Sequence, residues 1–227
     1  MLTPTMEDYL KTIYLLEQQH GNAATSLLAE RLNVTAASAT GMIKKLADLE
    51  LVEYEPYRGV RLTSSGMRAA LETLRHHRLL ELFLTEKLGF TWDEVHEEAD
   101  RLEHHISEAL EARISEVLGH PTLDPHGDPI PTLSGDLPAL ELHPLTELRA
   151  GDSGVIARVH TQDDEVLRYL RERGLGLNVA VEVLAVERAG QTITVLVEGE
   201  REVTIGTEVG ERIKVVHVVD PKGFHNP

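Results

Sequence analysis

Residues 96–105 read HEEADRLEHH, three histidines and four carboxylates in ten positions with no cysteine, serine or lysine among them. Imidazole nitrogen and carboxylate oxygen at this density are ligands suited to a divalent cation. On a helix of about 3.6 residues per turn, His96, Asp100, Glu103 and His104 fall at offsets of 0, 4, 7 and 8 and share one face, while Glu97, Arg101 and Glu108 point elsewhere and read as solvated. In the preceding helical stretch His77 and Glu81 stand at i and i+4, an imidazole beside a carboxylate. An antiparallel pair of helices would bring the two sets together. A single His/Glu pair is ordinarily just a solvated helix face; six residues on two facing stripes argue against that. Clustered carboxylates repel one another and call for a counter-charge, which a divalent ion supplies. The chain has no cysteine, so it has neither a thiolate site nor a disulfide framework. Oxygen and nitrogen donors favour Mn²⁺ or Fe²⁺, although affinity alone does not exclude Zn²⁺ or Co²⁺, because Mn²⁺ binds weakest in the Irving–Williams order.

The elements that must position these residues are legible in outline. A chain of 227 residues with 41% hydrophobic content holds one large domain or two to three small ones. Its apolar runs fall far short of the roughly 18 residues of a membrane span, and the N-terminus lacks the basic-then-apolar layout of a secretory signal. The expectation is a soluble, cytoplasmic protein without a membrane partner. The formal charge of −16 speaks at first against nucleic acid, but it is segregated. Residues 1–75 carry eight Lys/Arg against nine Asp/Glu, a net of −1. Residues 76–120 carry four against eleven, a net of −7, with six of the twelve histidines. The remainder holds ten against eighteen, a net of −8.

The first third reads as helix, helix, helix, hairpin. Leu10, Ile13, Tyr14 and Leu16 give residues 5–19 a helical period that stops at Gly21-Asn22. Thr25 or Ser26 is expected to cap a short helix over 25–32. Asn33-Val34 turns the chain, and Thr35 caps a third helix to about residue 50 with Met42, Ile43, Leu46 and Leu49 as its apolar stripe. LVEYEPYRGVRLT then gives two strands around Pro56-Tyr57-Arg58-Gly59, the layout of a winged helix-turn-helix. Long helices are expected from Ser64 to about Leu88 and from Trp92 to Leu118, ended by Gly119-His120-Pro121. On the second, Leu102, Ile106, Ala109, Leu110, Ile114 and Val117 form a stripe that is either core or the face of a dimer. Residues 121–146 hold six prolines and two glycines and read as a linker. Beyond them GVIARV, VAVEVLAV, TITVLVEG and REVTIG are short and β-branched, with a helical insertion at about 163–173, giving a small β-barrel. The fold class is therefore mainly α with a β C-terminal part.

Several segments, MEDYLKTIY (6–14), the block from Arg31 to Gly66, HRLLELFL (77–84), HEEADRLEHHIS (96–107) and PHGDPIP (125–131), together resemble the diphtheria toxin repressor family of metal-dependent transcription regulators. The first and wing segments look most like its manganese-transport regulator branch. The resemblance runs from about residue 4 to 131, and the terminal barrel resembles the SH3-like, FeoA-like domain of longer members. It implies a winged helix-turn-helix DNA-binding domain over 1–65, a helical metal-binding and dimerisation domain over 66–131, a linker over 132–146 and an SH3-like domain over 147–220. It also implies two metal sites per subunit, one with His77, Glu81 and His96, while Asp8, Asp100, Glu103 and His104 belong to the other or to a shared cluster. The iron-type branch has methionine at the position of Asp8 and commonly cysteine at that of Asp100, so two oxygens replace two sulfurs here and favour manganese. Lys11 departs from the compact manganese regulators, which carry glutamate there. The barrel of iron-type members lends a Glu and a Gln to one site; His160, Gln162 and Asp163 are the possible substitutes.

By the same resemblance the third helix enters the major groove. Thr35, Ala37, Ser38 and Thr40 suit thymine methyls and water-mediated contacts, Lys44 and Lys45 reach phosphates, and Arg58 at the hairpin tip touches backbone or minor groove. With no arginine on the reading face, DNA shape matters more than guanine readout. Two divalent ions would balance Asp8, Glu81, Asp100 and Glu103 and clamp the reading head to its dimer scaffold, setting the spacing of two reading helices on a double-stranded operator. The expected function is a manganese-dependent (or iron-dependent) homodimeric repressor of metal-uptake genes, not an enzyme and without a small organic substrate. The competing reading is a di-metal hydrolase or oxidase; no Glu-x-x-His occurs in the two long helices and no nucleophile or arginine cluster accompanies the acids. A metal buffer or carrier would leave the wing unexplained.

Overall fold

The computed structural model describes residues 2–55, 58–138 and 140–218. Helix α1 (Pro4–His20) starts at an N-cap, Thr3, whose hydroxyl accepts from the Met6 amide, and stops at Gly21, which adopts φ +77°. It buries Met6, Tyr9, Leu10, Ile13, Tyr14 and Leu16, which leaves Glu7, Asp8 and Lys11 together on a less buried face. Helix α2 (Thr25–Arg31) lacks the expected side-chain cap: Ala24 is the N-cap and Thr25 is already helical. The boundary is set instead by Ala23, whose backbone exchanges hydrogen bonds with Val60. Asn33 makes the turn at φ +51°, a conformation asparagine tolerates. Helix α3 (Ala36–Asp48) is capped by Thr35 and buries Ala39, Ile43 and Leu46, whereas Leu49 closes the helix and is half exposed. Strands β1 (Val52–Glu55) and β2 (Gly59–Leu62) pair antiparallel as the wing. At the expected tip, Pro56 and Tyr57 lie outside the described residues. Gly59 holds φ +96°, and a Cβ there would stand 2.7 Å from the Ala23 carbonyl oxygen, so only glycine lets the wing approach that close.

Helix α4 (Ser64–Leu88) has its expected span. The single helix expected over Trp92–Leu118 is instead two, α5 (Val95–Leu102) and α6 (Glu108–Val117). Ser107 breaks it: its hydroxyl accepts from the Leu110 amide as the N-cap of α6, while Glu103–His105 form a turn in which His105 N–H donates to the Leu102 carbonyl.

Two compact units result. The first comprises Met1–Leu80, Ala99–His120 and Ile130–Leu137. Its core joins the buried faces of α1, α2 and α3 to Val52, Val60, Ala70, Leu71 and Leu74. Polar ties hold α4 to α6: Arg75 Nε donates to Glu111 at 2.5 Å and its Nη1 to the Pro131 carbonyl at 2.7 Å, and His76 Nδ1 stands 3.1 Å from the Glu103 carbonyl oxygen. The last contact braces the turn that follows α5.

The second unit comprises Glu81–Glu98, Pro121–Pro129 and the described part of Pro138–Pro227. Strands β3 (His143–Pro144), β4 (Ser153–Val159), β5 (Ala180–Glu187), β6 (Thr192–Val197), β7 (Arg201–Gly206) and β8 (Ile213–Val218) form one antiparallel sheet in the order β3-β8-β4-β5-β6-β7. Register shifts at Ile156/Arg158 and Val183/Ala185 bend it around a core of Ile156, Val183, Ile193, Val195, Ile205 and Val215. Helix α7 (Asp164–Glu172) covers this core with Leu167 and Leu170, and α8 (Thr207–Arg212) links β7 to β8. Strand β3 and a 3-10 turn at Leu145–Glu147 lie in the stretch read as linker, so regular structure begins earlier than its prolines suggest. Residues 121–129 are likewise ordered: Asp124 Oδ1 accepts from the amides of His126 and Asp128, and the Val159 amide donates to the His126 carbonyl. Trp92 packs against the sheet core, and buried Asp93 accepts from Arg171 at 2.6 Å. Among the described residues no helix is long and apolar enough to cross a membrane.

Candidate metal centre and DNA-reading surface

In the first unit the exposed edge of α1 meets the turn after α5. His104 Nε2 stands 2.8 Å from Asp8 Oδ1, and its Nδ1 is 2.7 Å from Glu7 Oε2. Asp8, Glu103 and His104 each offer a ligand atom within 4.8 Å of the others. Glu103 is buried at 2% exposure, with Oε2 2.6 Å from His77 Nδ1, and the same nitrogen lies 3.2 Å from Asp100 Oδ1. Lys11 Nζ donates to both Glu103 oxygens, at 2.6 and 2.8 Å, and to Asp100 Oδ1 at 2.9 Å. Burial pushes the Asp8 carboxyl above its usual range, with His104 and Lys11 pulling the other way. For Lys11 burial works to lower the ammonium, but the carboxylates of Glu103 and Asp100 outweigh it and hold the group above its ordinary value.

The one-face argument for His96, Asp100, Glu103 and His104 therefore holds only in part. Asp100 stays on α5, Glu103 and His104 leave from the turn, and these three belong to the first unit, whereas His96 belongs to the second. Two members of the cluster escaped the sequence reading as partners: Glu7, adjacent to Asp8, and Lys11, one turn on. Their polar spacing on an otherwise apolar helix was the available signal.

In the second unit His96 Nδ1 is 3.0 Å from Glu81 Oε1. His126 Nε2 lies 3.9 Å from the same oxygen. The His126 ring is buried and stacks on Trp92, with centroids 5.9 Å apart and planes at 23°. His126 sits in PHGDPIP but carries no signature spacing, so only the fold brings it to Glu81. Asp163 spends Oδ1 on the amides of Glu165 and Val166 as the N-cap of α7, and His160 and Gln162 are exposed, with His160 Nδ1 3.1 Å from Arg158 Nη2. The ligand atoms that converge among the described residues do not include those of His160, Gln162 or Asp163.

The donors at both places are imidazole nitrogen and carboxylate oxygen, two of the carboxylates, Glu81 and Glu103, being buried. Buried acids require a charge partner, so this set fits a first-row divalent ion and offers nothing to a softer one.

On α3, Ala37, Ser38, Lys44 and Lys45 are exposed and Thr40 half-buried. The hydroxyls serve the helix first: Thr35 Oγ1 is 2.9 Å from Ser38 Oγ, and Thr40 donates to the Ala36 carbonyl at 2.7 Å. Exposed Arg58 pairs with Glu55 at 3.1 Å, an ion pair weak enough to exchange for a phosphate.

A winged helix-turn-helix carried with clustered imidazoles and carboxylates defines a metal-responsive DNA-binding protein. Comparison with known proteins makes the class specific. Residues 1–60 match the N-terminal DNA binding domain of iron dependent repressors, residues 63–132 their metal binding and dimerisation domain, and residues 143–217 the FeoA domain. The chain belongs to the iron- and manganese-dependent transcriptional repressor family that includes the diphtheria toxin repressor. It is 34% identical over 229 residues to the iron-dependent repressor IdeR of Mycobacterium tuberculosis, covering 96% of this chain and 99% of that one. The HTH-type transcriptional regulator MntR of Bacillus velezensis is 40% identical over 107 residues, 47% of this chain and 75% of the relative. Among solved structures, a manganese-dependent transcriptional repressor in complex with manganese superposes with a TM-score of 0.87 at 42% identity, covering 93% of this chain and 99% of the other. The relatives are repressors and not enzymes, which sets aside the di-metal hydrolase or oxidase.

Proposed function

We propose that this protein is a manganese-activated repressor, with Fe²⁺ as second metal, which binds double-stranded operator DNA as a cytoplasmic homodimer and silences metal-uptake genes when metal is plentiful. The observation that carries the reading is the convergence of Asp8, on the first helix of the DNA-binding segment, with Glu103 and His104 on the turn after α5. Sulfur-free donors support manganese, as does the 42% identity to a repressor solved with that metal.

Two sites per subunit follow from the donors. Asp8, Glu103 and His104, with Asp100 beside them, form one. Glu81 and His96 form the core of the other, with His126 as an added nitrogen; the ligand atoms that converge among the described residues do not include those of His160, Gln162 or Asp163. A bound divalent ion supplies the positive charge that lets these acids stay close. Asp8 and His104 then hold α1 against the turn, and Glu103, anchored by His77, keeps the turn in place. Thr35, Ala37, Ser38 and Thr40 meet base edges, and Lys44, Lys45 and Arg58 meet phosphates. The dimer face is α6, where Leu110 and Val117 are 48% and 58% exposed two turns apart. In this reading residues 1–65 are the DNA-binding domain, 66–131 the metal-binding and dimerisation domain, 132–146 the linker and 147–220 the SH3-like domain.

The test is fluorescence anisotropy on a promoter fragment from a neighbouring metal-transporter gene, titrated separately with Mn²⁺, Fe²⁺ and Zn²⁺. Wild-type protein should bind tightly only with metal, and Asp8→Ala should bind weakly whether or not Mn²⁺ is present; Asp8→Ala that binds as tightly and as Mn²⁺-dependently as wild type would refute the coupling.

A further inference from the structure

The Lys11 ammonium sits among the carboxylates of the acidic cluster. It donates to three carboxylate oxygens within 2.9 Å, and the side chain is only 13% exposed. Both oxygens of Glu103 are engaged by it, although Glu103 is also the residue whose ligand atom converges with those of Asp8 and His104. Asp100 is held through one oxygen, Oδ1. This is the arrangement a small cation adopts among carboxylates, delivered here by a side chain tethered to α1.

We infer that Lys11 is a resident counter-ion which competes with the incoming metal for Glu103 and Asp100, and so sets the metal concentration at which the cluster fills. The inference rests on the proposed metal site at Asp8, Glu103 and His104. Two cations sharing one carboxylate repel one another at short range in a partly dehydrated site. For Glu103 to ligate fully, the ammonium must withdraw from at least one of its oxygens. Loss of that ammonium is therefore compensated by the metal, and the metal-free protein loses what metal can restore. Without metal, Lys11 is also the link that ties α1 to Asp100 and Glu103.

The test uses full-length wild-type protein, Lys11→Gln, Lys11→Met and Lys11→Arg, with free Mn²⁺ read by electron paramagnetic resonance. Lys87→Gln, an exposed site on α4, controls for net charge. Lys11→Gln and Lys11→Met should bind Mn²⁺ about tenfold more tightly than wild type, equivalent to about 1.4 kcal/mol, and should melt at lower temperature without metal. Lys11→Arg and Lys87→Gln should stay within about twofold of wild type, a small change on that same scale. Unchanged or weakened Mn²⁺ binding in both neutral variants overturns the inference, as does an equal gain in Lys87→Gln or Lys11→Arg. A neutral variant that folds only when Mn²⁺ is added supports it, and one that stays unfolded with Mn²⁺ overturns it. Wild-type protein that binds no Mn²⁺ would instead defeat the underlying metal-site reading, an outcome visible before any variant is measured.

Discussion

Asp8 and His104 meet at 2.8 Å across 96 residues of sequence. The contact fastens the first helix of the DNA-binding segment to a turn in the helical segment that follows. It also makes Asp8 a sensitive place to intervene.

Burial raises the Asp8 carboxyl above 3.8. A carboxyl raised in the folded state stabilises the fold in its protonated form, fully below the unfolded value of 3.8, and that contribution is lost as pH rises through the folded value. At pH 7.5 the ionised group is thus a small cost to the metal-free protein, muted by its partial exposure. Asp8→Asn should melt no lower than wild type without metal at pH 7.5, and wild type should gain on it as pH falls toward 4. With Mn²⁺ at about 100 times its Kd, wild type should gain about 2.7 kcal/mol per site, and Asp8→Asn most of one site less. Scanning fluorimetry checks both; a variant that is less stable without metal yet keeps the full Mn²⁺ shift would contradict them.

His126→Phe retains the buried ring against Trp92 and removes the nitrogen near Glu81. The variant should fold, with Trp92 fluorescence still shielded, and should weaken one class of Mn²⁺ site about tenfold or more. Isothermal titration with unchanged affinities for every ion would remove His126 from the site.

Gly127 holds φ +82°, and a Cβ there would stand 2.0 Å from the Ala157 carbonyl oxygen; Gly21 holds φ +77° with nothing within 4 Å. Gly21→Ala should cost about 1 kcal/mol, the strain of the left-handed region alone. Gly127→Ala must also push strand β4 away and should cost about 2–4 kcal/mol, measured by urea denaturation. Equal costs would mean that β4 yields freely.

How much of this was readable beforehand divides by range. The winged helix-turn-helix was legible because its signals are local: Thr35 as a cap, Asn33 at the turn, an apolar stripe through Ile43 and Leu46. The break between α5 and α6 was not, since Ser107 interrupts a polar run that keeps helical spacing through His104. The ligand types were legible, but the helix that carries them was not, because α5 ends at Leu102 and Glu103 and His104 stand on a turn. Lys11, Glu7 and His126 acquire their partners only through contacts 45 or more residues distant. Strand β8 carries β-branched residues, yet it follows α8 without a turn residue to mark its start.

Leu110 and Val117 are large apolar side chains left 48% and 58% exposed on α6. Leu110→Asp with Val117→Asp should convert a dimer to a monomer in light scattering, and should weaken operator binding far more than Mn²⁺ binding, since a monomer contacts one half-site. A doubly substituted protein that remains dimeric would move the interface elsewhere.

The amide of Val159, at the end of β4, donates to the carbonyl of His126. The terminal domain is consequently fastened to the backbone of a residue whose ring lies beside Glu81, rather than trailing behind as cargo. Trimming the chain to its DNA-binding and helical parts should release that tether and retune the detector, so the short and long forms of such a protein should be treated as instruments calibrated to different settings.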